Sequence, residues 1–358
     1  MKKVLFVCLH RPDRAPSQRF RFEQYLGYLN ENGYKCNFSW LLSATDDKYF
    51  YSRGKLFRKG LIVLKSTWKR LFETFSASKY DIVFVQREAF MLGTSFFERQ
   101  FAKKTKMIFD FDDSIWVQNI STANRMFALF KDAEKTKDII GKADLVFAGN
   151  NYLADFAKQF NKHVVIVPTT IDTEVYKPVV KMPKDKVCIG WSGSVTTIEH
   201  METKMQALKA IKNKYGDKVY FKIIGDEKYY SEDLKTQGLP WKKETEVEEM
   251  TEFDIGLMPL PDTEWAKGKC GLKGLQYMAL GIPTIMSPVG VNAEIITDHV
   301  NGLLAYTNEE WVDKLSLLID SFDLRQLLGT AGRKTVEANF SVHANRKLYL
   351  HYFDQLTS

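Results

Sequence analysis

The chain alternates short, unbroken apolar runs with longer stretches whose apolar residues recur every three or four positions. Runs at residues 4–9, 35–41, 82–85, 107–111, 145–148 and 164–167 predict strands of a parallel sheet covered on both faces. Between the first two, Phe22, Tyr25, Leu26 and Leu29 share one face and Gly33 ends the pattern, which predicts a helix over 21–32. After a proline-bounded stretch at 168–178 and a charged one at 181–186, the pattern restarts. Strands are expected at 187–191, 219–224, 254–258, 284–286 and 303–305, with a helix at 201–215. Such strand–helix alternation predicts an α/β fold with doubly wound parallel sheets. The expected organisation is therefore two Rossmann-like domains, 1–180 and 186–339, meeting near 176–186 and facing across a cleft. An amphipathic helix within 340–358 is expected to pack back on the first. Ligands of such sheets bind beyond the carboxyl ends of the strands.

Composition narrows the partners. A chain of 358 residues suits two domains. The 51 Lys and Arg against 44 Asp and Glu leave a charge of +7, which suits phosphorylated ligands or an anionic membrane and is too weak to argue for nucleic acid. Cys8, Cys36, Cys188 and Cys270 lie far apart without metal-ligand spacing, so reduced thiols and a cytoplasmic location are expected. The apolar run after Lys2-Lys3 is too short for a signal peptide and leads into charged residues, so it reads as the first strand. No apolar stretch approaches the roughly 20 residues of a membrane-spanning helix. The six histidines form no ligand pair, and His200 reads as a surface residue.

The stretch KGKCGLKGLQYMALGIPTI, residues 267–285, sets lysines and glycines ahead of a helical pattern closed by Gly281-Ile282-Pro283. Glycines let the backbone approach a ligand, and a helix N-terminus offers unpaired N–H groups with partial positive charge. Lys267, Lys269 and Lys273 point towards phosphate. A basic surface loop that needed glycines to turn is the plainer alternative. A second small-residue turn, Gly193-Ser194 within GWSGSVTT, follows the first strand of the second half and suits backbone approach to a phosphate in the same way.

VPTTIDTEVYKP (167–178), IGWSGS (189–194), FDIGLMPLPD (253–262) and LQYMALGIPTIMSPVGVNAEI (275–295) resemble glycosyltransferases of the family-4 type. The likeness extends to PSQRFRFEQYL (16–26) and GRKTVEANFS (332–341). It implies a two-domain GT-B enzyme that retains anomeric configuration. Its donor would be a nucleotide-diphosphate sugar, its acceptor a glycan or lipid-linked hydroxyl, and its role surface polysaccharide or glycolipid assembly. The resemblance implies no metal and no cofactor. It places the donor at Gly193, Ser194, Lys269, Cys270, Gly271, Leu272 and Gln276, with Lys273 stabilising the leaving diphosphate. The family's two glutamates at this helix fall on Gly268 and Gln276. Gln276 is then expected at the ribose, and Glu264, Asp262 or the backbone of 269–272 at the sugar. An Arg/Lys pair common in the family's first turn is not matched by Glu199, His200 and Lys204. A sugar-nucleotide epimerase or hydrolase on the same fold, and a non-catalytic nucleotide-sugar-binding partner, are the alternatives.

FDFDDSIW, residues 109–116, ends the fourth strand with three acids. The resemblance sets Asp112 and Asp113 at the transferred sugar as catalytic residues; a metal site or capping of the next segment are the other readings. Arg19 and Arg21 follow the first strand and Arg87 the third, where a guanidinium suits acceptor or phosphate. Exposed helix positions serving solubility are the alternative for Arg19 and Arg21. Finally, residues 53–75 interleave Lys and Arg with Leu, Phe, Ile and Trp near helical spacing. That pattern fits a helix on an anionic membrane surface, or one packed on the core with a solvated basic face.

Overall fold

The computed structural model describes residues 1–52, 54–117 and 133–358, and divides into two compact units. One is Met1–Thr169 with Arg346–Ser358, the other Thr170–Asn345.

The first unit is built on β1 (Lys2–His10), β2 (Tyr34–Leu42), β3 (Ile82–Gln86), β4 (Lys106–Phe111), β5 (Leu145–Ala148) and β6 (Val164–Ile166). They form one parallel sheet in the order β2-β1-β3-β4-β5-β6. Residues 4–8 and 82–85 are buried throughout, which is why these runs carry no polar alternation. The helix expected over 21–32 is shortened to a tight turn at Glu23–Tyr25 and helix Leu26–Glu31, and a separate short helix, Pro16–Arg19, precedes it. The break between them lets Phe22 stack on Phe6, ring centroids 5.1 Å apart, and turns the Arg21 side chain inward.

Helix Val342–Thr357 closes this core, its residues from Arg346 onward belonging to the first unit. Tyr349 stacks on Tyr25 at 4.2 Å and its hydroxyl donates to the Arg21 carbonyl at 2.8 Å. Phe353 lies 6.2 Å from both Phe6 and Phe84. Each such buried ring stabilises the attachment by about 1.5–3 kcal/mol.

The second unit contains β7 (Val187–Ser192), β8 (Val219–Ile224), β9 (Tyr230–Ser231), β10 (Thr236–Gln237), β11 (Ile255–Met258), β12 (Thr284–Met286) and β13 (Leu303–Leu304). Its parallel sheet runs β13-β12-β11-β7-β8, and β9 and β10 make a separate antiparallel ribbon that the apolar pattern does not foretell. The helix expected over 201–215 is divided into Ile198–Glu202 and Met205–Tyr215. Trp191, Leu208, Ile211, Trp311 and Leu315 lie in its core.

The chain passes between units at Thr169 rather than near 176–186. The expected linker is laid on the second unit by its own hydrogen bonds. Ile171 N–H donates to the Phe340 carbonyl at 2.8 Å, Arg333 Nη2 to the Thr173 carbonyl at 3.0 Å, and Lys181 Nζ to the Phe253 carbonyl at 3.1 Å. The basic stretch becomes helix Leu56–Ser76; Arg53, its expected first residue, lies outside the described residues. Among the described residues no helix is long and apolar enough to cross a membrane.

Candidate functional site

Each sheet reverses its winding once, and each reversal opens a crevice at the carboxyl ends of two neighbouring strands. In the first unit these strands are β1 and β3, and in the second β7 and β11.

At the first crevice, β1 ends in His10 and β3 is followed directly by Arg87. Arg87 holds a left-handed backbone, φ 60°, which an L residue adopts only under local constraint. Its N–H is fixed to the Asp110 carbonyl at 2.7 Å. The conformation turns its guanidinium across the end of β4, where Nε donates to Asp112 Oδ1 at 2.7 Å and Nη2 donates to Asp113 Oδ2. Burial opposes the charge of Arg87, but Asp112 and Asp113 outweigh it and raise its pKa. Arg87, Asp112 and Asp113 thus form one triplet, half-buried at its arginine.

Beside it, Asp47 on helix Ala44–Phe50 accepts from Arg14 Nε at 2.6 Å and Arg11 Nη1 at 3.2 Å. Burial works against the Asp47 charge, yet these arginines hold its carboxyl below the ordinary range. His10 Nδ1 is 3.9 Å from Asp47 Oδ1, and Nε2 is 3.3 Å from the Tyr51 hydroxyl. Burial lowers the His10 pKa to about 4, aided by Arg14, Arg87 and Arg11 and opposed by Asp47. A neutral imidazole ringed by cations is therefore built into the carboxyl edge. Sequence reasoning missed His10, Arg14 and Asp47. HRPDR at the end of β1 is a signal for the first two, whereas Asp47 reaches the edge only through folding.

One of the expected contacts belongs to the interior instead. Arg21 is fully buried, ion-paired through Nη2 and Nε with Asp110, and donates through Nη1 to the Val167 carbonyl. Burial pushes the Asp110 carboxyl up while Arg21 works against it. Arg21 is thus a structural strut, not an acceptor contact. Arg19 is half-buried with its guanidinium 5.0 Å from the Phe20 ring centroid. The three acids of FDFDDSIW are divided between two arginines, and among the described residues no group of His, Cys, Asp or Glu is arranged to hold a metal.

At the second crevice, Gly193 follows β7 and Gly225 follows β8. A side chain at Gly193 would meet the Trp191 ring at 2.1 Å, and one at Gly225 would meet the Gly193 carbonyl at 2.7 Å. These contacts keep the strand ends bare. Ser194 is exposed, its N–H donating to Thr197 Oγ1 at 2.9 Å. Beyond β11, Gly271 adopts φ 71° and starts helix Leu272–Ala279. A side chain there would also strike Ile295 at 2.3 Å, so glycine is required twice over.

Lys269 and Lys273 flank this helix start, both half-buried, with Lys269 Nζ 4.8 Å from the Trp265 ring centroid. Cys270 is buried beneath them, its thiol 3.7 Å from the Gly268 carbonyl, and Leu272 opens the helix. Asp262 pairs with Lys267 at 3.1 Å, and Glu264 is exposed in the first turn of helix Glu264–Lys267. Gln276, one turn further, has no exposure. Its Nε2 donates to the Tyr176 hydroxyl at 2.9 Å and to Glu246 Oε1 at 3.1 Å, while Tyr176 donates to Glu246 Oε2 at 2.8 Å. It therefore ties Tyr176 to the buried Glu246 and is not open to a ribose. His200 is likewise buried rather than on the surface.

Two parallel Rossmann-like units define the GT-B class of fold. The chain is similar to sucrose-phosphate synthase from Thermosynechococcus elongatus, with TM-score 0.74 and 13% identity over 99% of each chain. It is also similar to a glycosyltransferase from Rickettsia africae, with TM-score 0.70 and 14% identity over 99% of this chain and 98% of the other. HepE of Anabaena, solved with UDP and glucose, matches with TM-score 0.69 and 13% identity over 99% of this chain and 100% of the other. No curated protein matches the chain by sequence. Residues 186–321 match the family described as glycosyl transferases group 1. The matched residues lie within the second unit.

Proposed function

We propose that the chain moves a sugar from a nucleotide-diphosphate sugar to the hydroxyl of a glycan or lipid-linked acceptor, with retention of configuration. The observation that carries this reading is the group 1 match over 186–321, within which Lys269 and Lys273 flank a helix start at the switch point. HepE, of the same fold, is solved with UDP and glucose, which supports a uridine nucleotide as the first donor to test. In this reading the second unit holds the donor. Backbone at Gly193 and Ser194 meets one phosphate group, and the start of helix Leu272–Ala279 meets the diphosphate with Lys269 and Lys273. Charge grows on that diphosphate as the glycosidic bond breaks, so fixed cations favour the transition state over the bound donor.

The first unit takes the acceptor, with Asp112 and Asp113 presented by Arg87. The product would enter surface polysaccharide or glycolipid assembly, and we place the enzyme in the cytoplasm on its cysteine usage.

A thermal-shift screen of UDP, UDP-sugars and other nucleotide sugars tests the donor assignment, because a ligand bound only by the folded state raises the melting point. Stabilisation by a nucleotide sugar, followed by sugar transfer to an added acceptor, is the expected result. No stabilisation by any nucleotide removes the reading. Product release without an acceptor would instead indicate an epimerase or hydrolase. Binding without turnover across a wide acceptor panel would indicate a non-catalytic partner.

A further inference from the structure

Helix Leu56–Ser76 is turned inside out. Its buried positions are Lys59, Ile62, Ser66, Arg70 and Thr74, four of them polar. Arg70 donates to the carbonyls of Ala89 at 2.6 Å and Cys8 at 2.7 Å and to Ser39 Oγ at 2.8 Å. The opposite face carries Phe57, Leu61, Leu64, Trp68, Phe72 and Phe75, all exposed, Phe57 at 81% and Phe75 at 72%. At helical geometry these six fall in one stripe about 80° wide and roughly 27 Å long. A helix on a globular surface normally does the reverse, and a continuous apolar stripe of this size marks a contact surface.

Charge selects the partner. Arg58, Lys65 and Lys69 border one edge of the stripe, about 80–120° round the helix from Phe57. Lys104 Nζ lies 5.2 Å from the Phe75 ring centroid at the far end. An open hollow of about 530 Å³, lined by Tyr49, Lys55, Leu56, Phe57 and Arg58, continues the near end. The acids close by are engaged. Asp46 pairs with Lys65 at 3.0 Å, and Glu73 is held by Arg70 and Ser39. Twofold antiparallel pairing with a second copy would set basic edge against basic edge.

We propose that this helix seats the protein on an anionic bilayer. It lies in the membrane plane, with the stripe in the acyl boundary and the basic edge at lipid phosphates. Its polar inner face remains bound to the protein, so docking requires no refolding. The proposal concerns the first unit's surface and stands whether or not the donor assignment does.

Flotation of the full chain with phosphatidylcholine vesicles, with and without phosphatidylglycerol, tests it at low and high salt. The wild type is expected to float with the anionic vesicles and to be weakened by salt. Trp68→Glu with Phe72→Glu should reduce binding by at least about tenfold, since each deletes a large apolar contact with the acyl boundary. Arg58→Glu with Lys65→Glu should reduce it mainly at low salt. All four positions are at the surface, so an unchanged melting point shows that the variants fold. Absence of flotation with either vesicle overturns the proposal. So does flotation that survives Trp68→Glu with Phe72→Glu, or a dimer that those changes dissociate in the absence of vesicle binding.

Discussion

Arg87 and Asp112 meet at 2.7 Å, Nε to Oδ1, across the ends of β3 and β4, and the left-handed backbone at Arg87 aims the guanidinium there. The pair brings together two residues that the sequence suggests for different tasks, one for the acceptor and one for the sugar. It also sets the orientation of both carboxylates, because Asp113 binds the same guanidinium.

Removing Arg87 should therefore disorganise both acids. Arg87→Ala is expected to lower kcat by on the order of 10²-fold, as for loss of one preorganised polar group. Arg87→Lys should recover only part, since an ammonium cannot hold two carboxylates in a planar fork. Steady-state kinetics with the identified donor and acceptor will check this. Activity of Arg87→Ala close to wild type would show that the triplet is scaffolding.

Lys273→Ala should cut turnover by about 10²–10³-fold while changing donor affinity much less, because leaving-group charge is largest in the transition state. Kinetics paired with nucleotide-sugar binding separate the two effects. A loss confined to KM would place Lys273 in ground-state binding instead.

Gln276 explains a departure from the family motif. It stands against the buried Glu246 carboxylate at 3.1 Å, so a glutamate there would face a like charge without solvent. Gln276→Glu should destabilise the fold by about 1–3 kcal/mol at neutral pH, with a smaller loss at acid pH where one carboxyl takes a proton. Chemical denaturation across pH measures it. A variant as stable as wild type would mean that the site tolerates a second carboxyl group beside Glu246.

The Arg21–Asp110 pair is enclosed on all sides, with neither side chain exposed to solvent. Arg21→Met should cost about 3–5 kcal/mol by stranding the Asp110 charge, whereas Arg21→Met with Asp110→Leu should recover most of it. Denaturant melts of both variants decide between a strut and a dispensable pair.

His10 links stability to pH. Its pKa falls from the usual 6.5 to about 4 on folding, so between those values the unfolded chain binds more protons. Stability should then rise with pH across that window and fall on acidification, by on the order of 2–3 kcal/mol at the acid end. Asp47, held below its ordinary range, acts in the same direction, its contribution being lost as pH falls through its folded pKa. His10→Gln should flatten the slope between pH 4 and 6.5 in thermal melts.

The strands were legible because a parallel sheet buried on both faces writes itself as unbroken apolar runs, as at residues 4–8 and 82–85. The glycine turns were legible for a similar reason. Gly193 and Gly271 stand where a side chain would collide, a constraint local enough to mark the sequence. The fates of the polar residues were not local. Arg21 and Arg87 have the same side chain in similar strand-end loops, yet one is sealed against Asp110 and the other set at the edge. Helix periodicity likewise foretold an amphipathic Leu56–Ser76 but not which face would be covered. Arg70 found carbonyls on β1 and after β3, and that polar socket drew the charged side inward and left the aromatic side in water. Apolar patterning determines where elements form. Which polar group is buried depends on partners far apart in the chain, and only the tertiary structure brings those together.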